Sequence, residues 1–206
     1  MSPASGDVQV PAGRLGRWVA NFEQRHGGSA LSVRGGALRG EAEDGSTFVA
    51  RLPFDASYDG VPDVEVFVAA AEPTGEWGVL LVRKGGFAVA RLRGRTLVEH
   101  KIGQRHVQGR TKAGGQSQQR FARRRDNQAR QAYEAAADHA ARILGTGSLP
   151  VVTGGDKVAV TDVLADSRLQ GLEVVGRWLA VPDPRRAVLD AAIADATAVT
   201  VVVVNA

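Results

Sequence analysis

The residues best suited to chemistry lie between positions 111 and 125, which read TKAGGQSQQRFARRR. Gly114 and Gly115 can take up positive φ and let the main chain approach a substrate closely, which side chains on those residues would prevent. Gln116 adds a backbone N–H and a side-chain amide that both donates and accepts, enough to orient a water molecule. Ser117 is a candidate N-cap for a following helix, and the first turns of that helix carry Arg120, Phe121, Arg123, Arg124 and Arg125. A helix N-terminus with unpaired N–H groups and clustered arginines is suited to anions, phosphates above all.

The charge of the whole chain sharpens this. Net charge is only +4 over 206 residues. From Lys101 to Gln131, however, nine basic residues (Lys101, Arg105, Arg110, Lys112, Arg120, Arg123, Arg124, Arg125, Arg130) stand against Asp126 alone, giving +8; the remainder, 17 basic against 21 acidic, carries −4. A mildly acidic body with one strongly basic segment points to a focused contact with a polyanion. A solvated helix face would mix signs to gain i,i+4 pairs, and this segment does not.

Other chemistries lack their residues. The chain has no cysteine, so thiolate nucleophiles, thiolate metal ligands and disulfides are excluded. No nucleophile elbow, zinc-binding HExxH or phosphate loop occurs. Of four histidines, only His100 and His106 are close in sequence, with no acidic cluster beside them; neither a metal site nor a cofactor is expected. A nuclease is disfavoured because Asp156, Asp162 and Asp166 are spread along one loop and helix and read as surface residues. The glycines of LGTGSLPVVTGGDK read as loop punctuation. The N-terminus shows no apolar stretch of signal-peptide type, and the run AVTVVVV is too short to span a bilayer. A cytoplasmic protein with no membrane partner is expected.

The positioning elements follow from periodicity. Residues 1–12 read as a loose tail. Leu15, Trp18, Val19 and Phe22 predict a helix ending at Gly27-Gly28. Three short alternating runs up to position 54 predict an antiparallel meander. VEVFVAAAEP reads equally as helix or strand. EWGVLLVRKGGFAVARLRGRTLVEHKIGQ predicts two successive hairpins. A long helix is expected from about Ser117 to Leu144, with an apolar stripe that includes Phe121, Ala132, Tyr133, Ala136, Ala137, Ala140, Ile143 and Leu144; on that stripe Phe121 and Tyr133 are expected to pack rather than stack on bases. The remainder alternates strand (LPVVTGG), helix (KVAVTDVLADSRL), strand (VVGRWLAVP), helix (PRRAVLDAAIADA) and strand (AVTVVVVNA), a pattern that predicts parallel pairing through crossover helices. The fold class is thus α/β: a mixed sheet with hairpin-fed strands and crossover helices, preceded by a small helix and β-meander region. The expected boundaries are 1–72 for that N-terminal region and 73–206 for the main domain.

The constellation G-G-Q-S-x-x-R-F-x-R-x-R, with Tyr133 eight residues further on, resembles the catalytic middle domain of the class-one release factors of archaea and eukaryotes. The longer stretch GVLLVRKGGFAVARLRGRTLVEHKIGQRHVQGRTKAGGQSQQRFARRR is closer to the Vms/ANKZF-type peptidyl-tRNA hydrolases, including their actinobacterial branch. The resemblance covers roughly residues 75–204 and leaves the N-terminal third unplaced. It implies a ribonuclease-H-like scaffold and hydrolysis of the ester joining a nascent peptide to tRNA, with Gly114, Gly115 and Gln116 catalytic. Such an ester needs a positioned water and a donor for the oxyanion, not a strong nucleophile. The implied partners are peptidyl-tRNA and the ribosome, its large subunit in particular. Arg105, Arg110, Lys112, Arg120, Arg123, Arg124 and Arg125 would then hold RNA phosphates. The chain has no room for codon-reading and GTPase-contacting domains beside the catalytic one, so codon-independent rescue is expected. The competing expectation is a non-enzymatic ribosome- or RNA-binding protein that uses the same basic helix.

Overall fold

The computed structural model describes residues 5–104 and 131–206. Their contacts divide into two compact units, one formed by Met1–Thr74 with Ile193–Ala206, the other by Gly75–Ala192.

The first unit is built on an antiparallel sheet. Its strands are β1 (Ser5–Pro11), β2 (Ser29–Arg34), β3 (Ala37–Ala42), β4 (Thr47–Arg51) and, from the other end of the chain, β10 (Ala198–Val204), in the order β1-β10-β4-β3-β2. The meander β2-β3-β4 is as expected from its alternating runs. Helix α1 (Leu15–His26) buries Leu15, Val19 and Phe22 in a core shared with Leu38, Phe48, Val199 and Val201. Trp18 and Phe22 both meet the Phe48 ring edge-on, at 5.4 and 5.2 Å, the geometry that aromatic quadrupoles favour. VEVFVAAAEP resolves as helix α2 (Val64–Ala70) because Asp63 caps it: its Oδ1 accepts from the Val66 N–H at 2.9 Å, satisfying one of the orphan donors of the first turn.

Two expectations are corrected in this unit. The N-terminal tail is in part a strand: Ser5–Pro11 pairs residue for residue with Val204–Ala198. AVTVVVV does form a strand, yet it is antiparallel to both neighbours, β1 and β4, rather than the parallel end of a crossover. A β-branched run with Val199 and Val201 fully buried suits a strand flanked on both edges.

The second unit carries a mixed sheet. Strands β5 (Glu76–Arg83), β6 (Gly86–Arg93) and β7 (Thr96–Gln104) form the two hairpins; β8 (Leu149–Gly155) and β9 (Leu172–Val174) add in parallel beyond β5, giving the order β7-β6-β5-β8-β9. The central strand β5 is buried from Trp77 to Val82, the continuous apolar run of a strand covered on both faces. On one face lie a helix over residues 131–144, here α3, and α4 (Lys157–Leu164). They bury Ala136, Ala140, Ile143, Leu144, Ala159, Val160 and Val163 against Leu80, Val82, Phe87, Val89 and Val151. Asp156 caps α4, its Oδ1 accepting from the N–H groups of Val158 and Ala159. α5 (Arg186–Ala196) precedes β10. The protein is thus mixed α/β, as its sequence pattern predicts. The expected strand VVGRWLAVP is displaced. Pairing with β8 breaks where Gly176 turns the chain at φ +71°, and only Leu179 returns, bridging Gly154.

Candidate functional site

The catalytic and RNA-binding candidates from the sequence, Gly114, Gly115, Gln116, Arg105, Arg110, Lys112, Arg120, Arg123, Arg124 and Arg125, all lie outside the described residues. What the structure describes is the frame on either side of them.

Strand β7 delivers the chain to Gln104, which pairs with Gly86 at the start of β6. Because β7 is antiparallel to β6, and β6 to β5, strands β5, β7 and β8 all finish at the same end of the sheet. The same end holds the Lys84-Gly85 turn and the entry to α4 at Asp156. On the far side of the segment, α3 runs back along the sheet. Its last residue, Leu144, lies against Gly78 near the beginning of β5. Near its described beginning, Tyr133 feels the carboxylates of Asp156 and Asp162. Both described flanks of residues 105–130 therefore sit at the carboxyl ends of the strands. There the chain order reverses between β5 and β8, which is where open α/β sheets place their ligand sites.

Local packing fixes that frame. Phe87 on β6 lies across Gly103 of β7, where a Cβ would stand 2.6 Å from its Cζ. The same Phe87 ring meets His139 of α3, centroids 5.6 Å apart and planes inclined by 29°. Strand β7, Phe87 and α3 are thus in register just below the point where the segment leaves. Burial holds the His139 pKa below its ordinary value, and the charges of Lys101 and Arg142 push the same way against Asp138. Tyr133 packs on the core of this face, as its stripe position predicts. Burial raises its pKa, with Asp156 and Asp162 adding to the effect.

Ion pairs brace the rest. Arg142 of α3 pairs with Glu99 of β7. Glu76 accepts from both Arg91 and Arg93, which hold its carboxyl below the usual range. Arg168 bridges Asp138 and Asp166, 2.7 Å to each, and its hydrogen bonds lower the Asp166 pKa to about 2. Arg83 donates to the Val181 carbonyl at 2.8 Å and lies 3.5 Å from Asp183. Asp156 and Asp166, surface residues in the sequence reading, act as caps of the turns that follow them. Gly154 and Gly155, read as loop punctuation, are the last residues of β8. Among the described residues no group of His, Asp and Glu is arranged to hold a metal ion, and no helix is long and apolar enough to cross a membrane.

A mixed sheet fed by two hairpins, with a basic Gly-Gly-Gln segment spanned between an edge strand and a long helix, defines a release-factor-like protein. The chain belongs to the Actinobacteria/chloroflexi VLRF1 release factor family, whose model matches residues 75–202. No curated protein matches it.

Proposed function

We propose that this protein is a peptidyl-tRNA hydrolase that frees nascent chains from tRNA on stalled ribosomes or large subunits without reading a codon. The observation that carries this reading is the sequence Gly114-Gly115-Gln116 followed directly by an arginine-rich run, in a chain of a release factor family. The unit around the mixed sheet is the catalytic part, acting in the cytoplasm. Gly114 and Gly115 let the backbone approach the ester carbonyl; the Gln116 N–H donates to the developing oxyanion, and its side-chain amide orients the attacking water. Arg105, Arg110, Lys112, Arg120, Arg123, Arg124 and Arg125 hold the phosphates of tRNA or ribosomal RNA. No metal or cofactor takes part in this scheme.

The test is release of labelled peptide from purified ribosome–nascent-chain complexes and from stalled large subunits. Gln116→Ala keeps the backbone donor and loses the side-chain amide, so turnover should fall by ~10²-fold or more, the scale of one positioning or oxyanion contact. Gln116→Pro, which removes the N–H as well, should be at least as damaging. Release by Gln116→Ala at the wild-type rate would refute the catalytic assignment. Binding without release by the wild type would favour an RNA-binding protein that uses the same helix as a clamp.

A further inference from the structure

The antiparallel sheet of the first unit has two faces, and its register assigns residues to them. Val33, Leu38, Ala50 and Val201 form one cross-strand row of the face on which α1 and α2 pack through Leu15, Phe22 and Phe67. Both helices of the unit lie on that side, so neither covers the opposite face. The central row of this uncovered face reads Ser32, Arg39, Val49, Val202 and Asp7. The row above it sets Arg34 beside Ala37, and Arg51 beside Thr200 and Gln9. Ala37 adjoins Arg51, one step beyond the Leu38–Ala50 pair. Side chains alternate between faces along a strand, so Arg34, Arg39 and Arg51 all project from the uncovered face.

Arg34 and Arg51 are exposed and Arg39 is half-buried. The Arg39 side chain turns toward the β2–β3 hairpin. Its Nε donates to the Arg34 carbonyl at 3.3 Å, and its Nη2 lies 4.0 Å from the place a Cβ would take on Gly35. The guanidinium is thereby carried toward the row of Arg34 and Arg51, which start about 10 Å apart with β3 between them. Among the described residues none of the three pairs with a carboxylate. Glu41 follows Arg39 on the same face of β3, on the side from which the guanidinium turns away. Asp7 stands on β1, three strands from Arg39. Asp55, in the turn after β4, makes no ion pair with Arg51. Asp59 and Asp63 act on Tyr58, which meets Phe67 of α2 in the core of the other face. Like charges gathered without a carboxylate repel one another, and a bound anion relieves that repulsion.

We propose that this uncovered face docks on the phosphodiester backbone of ribosomal RNA in the large subunit, held by Arg34, Arg39 and Arg51. Guanidinium groups present planar, forked donors that match phosphate oxygens. Gln9 extends the upper row: its Oε1 accepts from Thr200 Oγ1 at 3.1 Å, leaving its Nε2 to donate outward. The strands carry no aromatic ring on this face for a base to stack on, so the contact is one that positions the protein rather than reads a sequence. Membership of a release factor family makes the ribosome the particle that this face meets. Arg34, Arg39 and Arg51 lie outside the residues 75–202 that define the family, so the contact adds to the one assigned to residues 105–125. The inference goes beyond the hydrolase reading and holds whether or not Gln116 acts on an ester.

The test is binding of vacant large ribosomal subunits, and separately of deacylated tRNA, at roughly 50 to 300 mM KCl, a range that spans physiological ionic strength. For Arg34→Gln/Arg39→Gln/Arg51→Gln, the slope of log K against log salt on subunits should fall in magnitude by about two to three, close to one per lost phosphate contact. The slope on tRNA should not change. Lysine at the same three positions should keep most of the subunit slope, because the charge is retained. If the triple Gln variant melts early, Arg34→Gln and Arg51→Gln carry the test singly, each lowering the slope by about one. An unchanged slope on subunits would overturn the proposal, and so would a fall on tRNA as large as that on subunits. A loss of affinity equal at every salt concentration would point to a ribosomal protein and overturn it too. Wild-type protein that shows these slopes but releases no peptide would keep the docking face and lose the hydrolase.

Discussion

Gly103→Ala tests whether β7 and α3 are held in register through Phe87. The new Cβ would stand 2.6 Å from Phe87 Cζ and closer to Cε1, while ordinary contact begins near 3.4 Å. The ring must therefore withdraw by at least 0.8 Å, and it is already stacked on His139. Phe87 is 6 % exposed, so it has little open space to enter, and the displacement passes to α3 or to the edge strand. Overpacking of this kind costs ~1–3 kcal/mol, offset by ~0.4–1 kcal/mol from the reduced entropy of the unfolded chain when glycine is replaced. A net loss of ~0.5–2 kcal/mol lowers the melting temperature by roughly 1–8 °C for a chain of this size. The assay is a double-mutant cycle with Phe87→Leu, measured by urea unfolding. The smaller side chain gives the methyl room, so Gly103→Ala/Phe87→Leu should be more stable than the sum of the singles by about 1 kcal/mol or more, as for residues in direct contact. Peptide release should fall in Gly103→Ala and recover in the double variant, because residue 103 is next to the last residue of the strand that leads to Gln116. Additivity within ~0.5 kcal/mol would mean that the contact does not couple the two elements, and the reasoning would fail.

Three further outcomes follow from the same geometry. Asp156→Ala removes the α4 cap from the N–H groups of Val158 and Ala159 and should cost ~1 kcal/mol in chemical denaturation; Asp156→Ser should recover most of it. Stability should fall as pH drops below 6.5, because the unfolded chain protonates His139 before the folded one, whose pKa is held lower; that contribution is fully present above 6.5. His139→Gln should flatten the dependence of urea midpoints on pH over this range. Asp166 behaves likewise further into acid: with a folded pKa of about 2 against 3.8, its contribution is present above 3.8 and is lost as pH falls toward 2. Arg168→Ala should abolish that loss, as read from acid-unfolding curves.

Much of the fold was readable because its signals are local. The apolar spacing of Leu15, Val19 and Phe22, the glycine turns at 85–86 and 94, and the alternation of the meander each specify an element within a dozen residues. The Gly-Gly-Gln segment and its arginines were legible for the same reason, as residue types in one contiguous run. VEVFVAAAEP stayed open because its periodicity fits either state, and the Asp63 cap decides it for helix. VVGRWLAVP carried strand-forming residues, but Gly176 takes a positive φ and the pairing breaks there.

The sequence by itself determined the local elements, the basic segment and the chemistry its residues can support, since these depend on neighbours a few positions apart. Only the tertiary structure decided that Ser5–Pro11 is a strand and that AVTVVVV completes the N-terminal sheet. Each pairing joins residues far apart in the chain, and no periodicity records the partner of an edge. The same holds for the exposed lysines of the unit around the mixed sheet. Their charge is visible in the sequence; that no described carboxylate pairs with it is a property of the fold.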